Sequence, residues 1–359
     1  MNIPLNSSLK HNQAPCPREL GYRMPAEWEP HRATWLAWPH NRDAWPGQLD
    51  QIKEIWVQMV KALAPREAVC LLVNDQRAQD QADKRLRQAG ADMERVTFHT
   101  IPTVDVWVRD YGPTFVVKRD GDQRLAFNDW IFNGWGGKYE SYRADDSVAK
   151  AMAPLLGARV FEHPVALEGG SIEVNGQGAC FTTEQCLLNP NRNPHLSRAG
   201  IEQFLEDSLG VDQVIWLGEG IAGDDTDGHI DDIARFVDST TVVCALERDP
   251  RDRNYRPLQE NYERLTGAKD RNGKKLTIVP LPMPGAVADA GARLPASYAN
   301  FYIANGVVLA PTYDHPNDRA ALGILRELFP DRAVIGIPCA PLVTGRGAIH
   351  CVTQQEPLV

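Results

Sequence analysis

The chain has 359 residues, a formal net charge of −9 and 43% hydrophobic residues, which fits one large domain or two of ordinary size. The acidic balance argues against nucleic acid as the main partner and is compatible with a small cationic substrate. No apolar run approaches the length of a membrane span, and the first residues lack the basic and apolar stretches of a secretory signal. We therefore expect a cytoplasmic protein.

Cysteine usage points to the same compartment. The chain has seven cysteines, at positions 16, 70, 180, 186, 244, 339 and 351. Their odd number and irregular spacing argue against a disulfide framework and favour a reducing environment. No CxxC pair is present, which excludes a zinc ribbon.

The hydrophobic pattern predicts a recurring order of elements. The first unit has an amphipathic helix over 49–63, a buried strand over 68–73, a second helix and a second strand, then a polar loop and a hairpin that turns at Asp120–Gly121. The same order of helix, strand, loop and hairpin is predicted over 145–183, 197–246, 253–311 and 317–351.

Units of roughly 70 residues that share an element order predict radial repetition, although their sequence identity is negligible. The last unit has only one strand after its loop. Residues 33–38 could pair with that strand and close the ring. An ordinary α/β sheet with irregular hairpins is an equally good interpretation of element order alone.

A polar cluster occupies the same place in each unit, after the strand and before the hairpin. In a ring of equivalent units these loops would converge on the axis and form one pocket. The residues that mark the clusters are Asp110, Glu168, His229, Tyr298 and Cys351.

Cys351 is the candidate nucleophile, because it lies in the polar, Gly-rich segment "GRGAIHC". The neighbouring His350 is expected to point away from it, since adjacent residues of a strand face opposite sides, and is interpreted as structural. The cysteines with surroundings typical of inert core thiols are Cys70, Cys180, Cys244 and Cys339.

His229 is the better partner for Cys351. It lies in "GDDTDGHIDD", and a spacing of two places Asp231 on the same side of an extended segment. An Asp-rich turn or a metal site of histidine and carboxylates would give a similar pattern. The single histidine argues against a metal, so the segment favours acid–base chemistry.

Asp110 and Glu168 are ambiguous when each is taken alone. Asp110 could form an ion pair with Arg109, and Glu168 could be bound by the N–H groups of Gly169 and Gly170. In a shared pocket, ionised carboxylates facing a thiol suit a guanidinium, whose N–H donors match a carboxylate. Thiolate attack on its central carbon would expel ammonia and leave an amidino intermediate that water hydrolyses, with His229 moving the protons and Glu168 orienting its ring.

At these residues the chain resembles the agmatine deiminase family, part of the guanidino-modifying (peptidylarginine deiminase) superfamily. The resemblance implies a single catalytic domain over 1–359, an α/β five-bladed propeller (pentein) of ββαβ-type units, with a loose tail over 1–20. The matching stretches are "RMPAEWEPHRATWLAWPHNRDAWPG", "DVWVRDYGPTFVV", "FNGWGGKY", "LEGGSIEVNGQG", "TTEQCLLNPNRNP", "DDTDGHIDDIARF", "LPASYANFYIANGVVLAP" and "IHCVTQQEP".

The resemblance also implies roles for individual residues. Cys351 would be the nucleophile and His229 the general acid and base, supported by Glu168. The guanidinium would be clamped by Asp110 and Asp231. The remaining substrate-binding residues implied by the resemblance are Trp107, beside the aliphatic part, and Asn300.

The family implies an activity on linear amidines without metal or organic cofactor. Its agmatine-specific members form N-carbamoylputrescine and ammonia on the way to putrescine and are often homodimers. Arg346 and Ala348 interrupt the run of glycines usual before "IHC". Arg346 could bind a substrate carboxylate, which agmatine lacks, or could face solvent or an acidic neighbour. Free or C-terminal arginine is therefore the alternative substrate, and a metal-dependent hydrolase or a non-catalytic binding module are further alternatives.

Overall fold

The strands of the computed structural model, which describes residues 15–271 and 273–359, form five sheets of three or four strands and one two-stranded ribbon. The strands are β1 (His31–Ala37), β2 (Ala68–Val73), β3 (Val96–Thr100), β4 (Thr114–Val117), β5 (Leu125–Ile131), β6 (Arg159–Ala166), β7 (Glu173–Val174), β8 (Ala179–Thr183), β9 (Gln213–Leu217), β10 (Ala234–Phe236), β11 (Thr241–Leu246), β12 (Thr277–Pro282), β13 (Ala288–Asp289), β14 (Ala292–Arg293), β15 (Tyr302–Ala304), β16 (Val307–Thr312), β17 (Ala333–Pro338) and β18 (Gln354–Pro357).

Helices connect the strands, which makes the architecture α/β as predicted. They are α1 (Leu49–Leu63), α2 (Gln76–Gln88), α3 (Val108–Tyr111), α4 (Gly134–Gly137), α5 (Val148–Leu156), α6 (Glu184–Leu187), α7 (Arg198–Leu209), α8 (Tyr255–Gly267) and α9 (Asn317–Leu328). Within the described residues every helix is too short or too polar to cross a bilayer.

The five larger sheets share one topology: an antiparallel pair is followed by a strand that joins in parallel after a helical crossover. Helical crossovers are the usual way to join parallel strands. The strand orders are β18-β1-β2-β3, β4-β5-β6, β7-β8-β9, β10-β11-β12 and β15-β16-β17.

The first and last strands of the chain pair with each other. β1 lies antiparallel to β18, with Trp35 opposite Gln354. The prediction that residues 33–38 supply the strand missing from the last unit is therefore confirmed. The side chain of Trp35 strengthens this junction, because its Nε1 donates to Oε2 of Glu356 at 2.8 Å.

Local structure departs from the sequence prediction at a few places. α1 has the predicted bounds and buries its apolar face, including Ile52, Trp56 and Met59. The helix predicted from residue 145 begins only at Val148, after a 3-10 helix over Glu140–Ser147. The segment 284–298, predicted as a loop, contains the β13–β14 ribbon.

The predicted loose tail over 1–20 falls mostly on residues 1–14, outside the described residues. The described end of that segment is packed. Residues Arg18–Leu20 form a 3-10 helix, and Arg18 Nη2 donates to Oδ1 of Asp212 at 2.7 Å.

The five polar loops lie together, each in contact with the next. Gly170 N donates to Oδ1 of Asp110 at 3.0 Å, which joins the first and second loops. A 3.9 Å separation between Oε2 of Glu168 and Nε2 of His229 joins the second and third. The remaining contacts are Asn300 Nδ2 to Asp232 Oδ1 at 3.1 Å, His350 N to Asn300 O at 3.1 Å and Arg109 N to Cys351 O at 3.3 Å.

Candidate active site

Cys351 lies in a turn immediately before β18, where its side chain is only 8% exposed. Asn300 Nδ2 donates to its Sγ at 3.2 Å, and Oδ2 of Asp231 lies 3.8 Å from the same sulfur. Burial raises the pKa of the Cys351 thiol well above its usual range, and the charges of Asp231, Asp232 and Asp110 raise it further. A raised pKa favours the protonated thiol near neutral pH.

Asn300 holds this turn in place as well as touching the sulfur. Its Oδ1 accepts from the backbone N–H of His350 at 2.9 Å and of Cys351 at 3.4 Å, and its Nδ2 also donates to Asp232. Asn300, predicted to bind substrate, thus contacts the thiol but is not among the residues that line the cavity, and its role in substrate binding stays a prediction.

His350 bridges two buried carboxylates. Its Nδ1 lies 2.7 Å from Oδ2 of Asp231 and its Nε2 lies 2.8 Å from Oε2 of Glu27. The geometric premise for its orientation was wrong, because residues 349–352 form a turn rather than a strand. Its structural interpretation agrees with these bonds, although one partner is itself a predicted site residue.

Asp231 is ionised through this contact. Burial alone would raise its pKa, but the hydrogen bond and charge of His350 lower it below the usual range. Its Oδ2 is bound to His350, whereas its Oδ1 is buried and has no partner among the described residues. That oxygen is free to accept a hydrogen bond from a substrate.

Glu27 is the second partner of His350, and its only signal in the sequence was the matching stretch that begins "RMPAEWEP". Its carboxylate lies 2.9 Å from Arg235 and 3.4 Å from Arg109, and Oε1 accepts from Ile303 N at 2.7 Å. Burial would raise the pKa of Glu27, but Arg235, His350 and Arg109 together lower it strongly. Arg109 thus has Glu27 as its partner, which rules out the Arg109–Asp110 ion pair considered from the sequence.

Asp110 is oriented by two donors. Trp135 Nε1 donates to its Oδ2 at 2.9 Å and Gly170 N donates to its Oδ1 at 3.0 Å. Burial raises the pKa of Asp110 to about 6, against the lowering effect of the nearby His229. Trp135 was missed as a functional residue; the motif "FNGWGGKY" was its only signal.

Glu168 is held by Arg192 rather than by the glycines that follow it. Arg192 Nε donates to Oε1 at 2.8 Å, and Gly170 N is bound to Asp110 instead. Burial would raise the pKa of Glu168, but Arg192 outweighs it and lowers the pKa. Oε2 of Glu168 is left without a hydrogen-bond partner among the described residues. The sequence offered only "NPNRNP" as a pointer to Arg192.

His229 is buried without a hydrogen bond to either ring nitrogen in the described part of the chain. Its Nδ1 lies 3.7 Å from Oδ1 of Asp110 and its Nε2 lies 3.9 Å from Oε2 of Glu168. Burial would lower the pKa of His229, but Asp110, together with Cys186 and Glu168, raises it well above its usual range. A raised pKa favours the protonated imidazole, and its two N–H groups could then donate to a bound ligand.

The Asp cluster around His229 serves the turn. Asp224 accepts from the backbone N–H of Thr226 and Gly228, both at 2.7 Å, and Asp227 pairs with Arg192 at 2.6 Å. These contacts support the turn interpretation for Asp224 and Asp227, and they make the cluster a poor metal site.

The cavity in front of the thiol has a volume of about 190 Å³. Aromatic side chains form part of its wall and Asp110 and Cys351 its inner end. Trp107, one of the predicted residues, lies in this wall. Its lining residues are Asp43, Ala44, Trp107, Asp110, Trp135, Tyr139, Tyr142, Asp225, Thr226, Thr344, Gly345, Arg346, Gly347 and Cys351.

The segment before Cys351 is Gly-rich because two tryptophans approach it closely. A Cβ at Gly347 would lie 2.4 Å from Trp107, and one at Gly345 would lie 2.6 Å from Trp45. Arg346, between them, has a φ of +77°, a conformation that favours glycine. The Arg346 side chain lines the cavity. One of its donor groups, Nη1, is used in a hydrogen bond to Gly223 O at 3.1 Å.

An α/β fold with a small cavity lined by a thiol, carboxylates and aromatic rings is that of an enzyme acting on a small molecule. The chain belongs to the Porphyromonas-type peptidyl-arginine deiminase family, whose sequence model matches residues 23–357.

Among curated relatives, the agmatine deiminases of Ectopseudomonas mendocina and Pseudomonas aeruginosa are each 38% identical, covering 95% and 96% of this chain and 97% and 98% of their own. Two solved structures are similar. The agmatine deiminase of Enterococcus faecalis is 34% identical with a TM-score of 0.88, over 96% of this chain and 98% of its own. A cysteine-to-serine variant of C. jejuni agmatine deiminase with substrate bound is 31% identical with a TM-score of 0.84, over 93% and 96%.

Proposed function

We propose that this chain hydrolyses agmatine to N-carbamoylputrescine and ammonia through a covalent amidino-cysteine intermediate. The observation that carries the proposal is the inner end of the cavity. There Cys351 and Asp110 line the wall. Next to them lie Asp231, with Oδ2 3.8 Å from the Cys351 sulfur, and His229, with Nδ1 3.7 Å from Oδ1 of Asp110. Oδ1 of Asp231 and both ring nitrogens of His229 lack partners among the described residues. A flat cation with several N–H donors and an electrophilic carbon would satisfy these groups together.

The carboxylates bind the guanidinium. Asp110 is held by Trp135 and keeps lone pairs for a second partner, while Asp231 offers its free Oδ1. Trp107 lines the cavity, with its ring 5.8 Å from that of Trp45, and would pack against the aliphatic chain. Fixing the plane of the cation in this way aims its central carbon at Sγ of Cys351.

The chemistry then needs a proton to move in each half-reaction. A bound guanidinium offsets the negative field that raises the pKa of Cys351, so the thiolate forms in the complex. Sulfur bonds to the guanidinium carbon, one C–N bond breaks, and His229 protonates the leaving amine, which departs as ammonia. Water next attacks the amidino carbon, His229 takes its proton, and the C–S bond breaks to release the ureido product. Glu168, fixed by Arg192, keeps the charged imidazole in place.

Arginine, free or at a peptide C-terminus, is the alternative substrate. The observation that favours it is Arg346, whose guanidinium lines the cavity and uses one donor group on Gly223 O. Asp225 lies on the same wall, and Arg346 lowers the pKa that burial raises at this carboxyl. Because the acidic residue Asp225 lines the same cavity as Arg346 and would disfavour a substrate carboxylate there, we favour the substrate without one.

We also propose that the five sheets surround one axis as a five-bladed propeller, and that residues 1–359 act as one catalytic domain. The cyclic contacts among the five loops and the β1–β18 pairing support this arrangement. A homodimer, a cytoplasmic location and a role in putrescine biosynthesis stay predictions; light scattering in solution tests the first.

A product assay tests the function directly. The purified chain is incubated separately with agmatine, free arginine and a peptide ending in arginine, and ureido product and ammonia are quantified. We expect product from agmatine with a kcat/KM at least about tenfold above either arginine substrate. Product from the arginine substrates alone would overturn the assignment. Activity abolished by a chelator would instead indicate a metal-dependent hydrolase, and no product from any substrate would indicate a binding module.

A further inference from the structure

A second thiol lies beside the proposed acid–base pair. Cys186 is in α6, where Thr183 Oγ1 accepts from its backbone N–H at 3.2 Å, and its side chain is fully buried. Ligand-type atoms of Glu168, Cys186 and His229 all lie within 4.8 Å of one another. None of the steps proposed above uses Cys186.

The other two members of this group have atoms left unsatisfied. Both ring nitrogens of His229 and Oε2 of Glu168 are buried and have no hydrogen-bond partner in residues 15–271 and 273–359. Each side chain is about 1% exposed. Nε2 of His229 and Oε2 of Glu168 face each other at 3.9 Å, whereas Nδ1 faces Asp110. A buried polar atom without a partner costs about 1–3 kcal/mol, so two that face each other beside a thiol indicate a binding site for something that supplies the missing interactions.

Arg192 determines which carboxylate oxygen is free. It binds Oε1 of Glu168 at 2.8 Å and Oδ2 of Asp227 at 2.6 Å, which leaves Oε2 directed to the imidazole. The charge of Arg192 is thus already offset by Asp227. A thiolate and a carboxylate, with a neutral imidazole, would then neutralise one divalent cation.

We propose that Glu168, Cys186 and His229 form an inhibitory binding site for a thiophilic divalent metal ion of the Zn²⁺ class. Sulfur, imidazole and carboxylate are the ligands that Zn²⁺ takes, and the 3.9 Å between Nε2 of His229 and Oε2 of Glu168 is compatible with two ligands of one ion. Thiolate and imidazole together select against Mg²⁺ and Ca²⁺.

Occupation of the site stops catalysis, a consequence that rests on the proposed function. The ion takes the imidazole that would protonate the leaving amine and the carboxylate that supports it. Cys351 is outside this group of three, so the proposed site does not need the proposed nucleophile. Metal binding is therefore expected to depend on Cys186 and not on Cys351, whereas turnover of agmatine is expected to depend on Cys351 and not on Cys186.

Cobalt binding tests the site without reference to activity. Metal-free protein is titrated with Co²⁺, and the thiolate-to-cobalt charge-transfer absorption in the near ultraviolet is recorded. We expect one equivalent to bind with this band in the wild type and in Cys351→Ser, and Zn²⁺ to displace it. The Cys186→Ser variant should lose the band and bind at least about tenfold more weakly.

Cys244→Ser, which alters a buried thiol in β11, is the matched control and should keep the band. Should Cys186→Ser not fold, Glu168→Gln gives the second test, with the band kept but the affinity lowered at least about tenfold. A band that disappears in Cys351→Ser and persists in Cys186→Ser would overturn the proposal, as would failure of the wild type to bind. If Co²⁺ binds as expected but agmatine is not turned over, the proposed function fails and the metal site stands.

Discussion

The site has two histidines that are equally buried but differ in hydrogen bonding: among the described residues, both ring nitrogens of one have partners, and neither ring nitrogen of the other does. On the bonded side (Glu27, Asp231, Asn300 and His350), His350 has a carboxylate within 2.8 Å of each ring nitrogen. On the open side (Glu168, Cys186 and His229), neither ring nitrogen of His229 has a partner among the described residues. Cys351 lies on the bonded side, where Asn300 contacts its sulfur.

This difference in hydrogen bonding distinguishes a residue that positions its neighbours from one that can take part in the reaction. A group whose hydrogen bonds are complete stabilises one geometry and has nothing left for a substrate. A buried group with unsatisfied hydrogen-bond donors or acceptors lowers the stability of the free protein and gains its partners only when a ligand binds. His350 fixes the Asp231 carboxylate, and the open hydrogen-bonding positions of His229 support its proposed role in moving protons.

The largest effect on turnover is expected from substitution of Cys351, the proposed nucleophile on the bonded side. Cys351→Ser should lower kcat for ureido product by at least about 10⁴-fold, since a hydroxyl in this field of carboxylates does not ionise. The folded structure should persist because serine keeps the contact with Asn300, which circular dichroism and the melting temperature can show. Activity within tenfold of the wild type would end the covalent mechanism.

Substitution on the open side should impair chemistry more than folding. His229→Gln removes the proposed proton carrier, and kcat should fall by about 10²–10⁴-fold. Its free energy of unfolding should fall less than that of His350→Gln, because His229 has no hydrogen bond to lose among the described residues and its carboxylate neighbours lie 3.7 and 3.9 Å away. Kinetics and urea unfolding measure the two effects. A large loss of stability with kcat retained would reverse the roles given to the two histidines.

The same substitution on the bonded side should do the opposite. His350→Gln removes at least one of the imidazole's hydrogen bonds to Asp231 and Glu27, and each buried carboxylate oxygen left without a partner costs about 1–3 kcal/mol of unfolding free energy. Urea unfolding measured alongside His229→Gln gives the comparison directly. Equal losses of unfolding free energy in the two variants would show that the difference in hydrogen bonding does not affect stability.

The protonation state of the thiol gives a smaller, continuous effect. Burial and then Asp231, Asp232 and Asp110 raise the pKa of Cys351, so the thiolate fraction of the free protein increases with pH without reaching a plateau near neutrality. Alkylation of Cys351 by iodoacetamide should accelerate about tenfold per pH unit between about pH 7 and 9. Peptide mass spectrometry assigns the rate to Cys351. A rate that is already constant at pH 7 would contradict the raised pKa.

Arg346 should matter least. Arg346→Gly places glycine at a φ of +77° and removes one donor to Gly223 O, and the inner end of the cavity is unchanged. We expect kcat/KM for agmatine to change by less than about threefold, with Arg346→Lys as the charge-conserving control. A gain of agmatine activity above about tenfold, or a specific loss of arginine turnover, would show that Arg346 selects for a carboxylate.

Much of the fold could be predicted from the sequence because its signals are local. The apolar face of α1 and the strand over 68–73 are periodic patterns, and the order of such patterns gave the five sheets. The β1–β18 pairing could be predicted because the last unit has only one strand after its loop. The ribbon over 288–293 had no such signal, since two-residue strands leave no period to detect.

The candidate site could be predicted in part. The segments around Cys351 and His229 are unusual enough to be noticed alone, whereas the pairing of Glu27 with His350 joins residues 323 positions apart. Arg192, Trp135 and Cys186 lie in matching motifs, but they act through partners in other loops, so the motifs alone do not show what these residues do. The sequence distinguished the roles of the two histidines but not their hydrogen bonding, because hydrogen-bond satisfaction is a property of the assembled pocket.

The central claim is that Cys351, and not Cys186, attacks the guanidinium carbon. The most direct measurement is mass spectrometry of wild-type protein quenched in acid during turnover of agmatine, followed by peptide mapping. We predict an adduct with the mass of agmatine less one ammonia on the peptide that contains Cys351, absent from the Cys351→Ser variant. An adduct on Cys186, or turnover without any adduct on a cysteine, would contradict the mechanism.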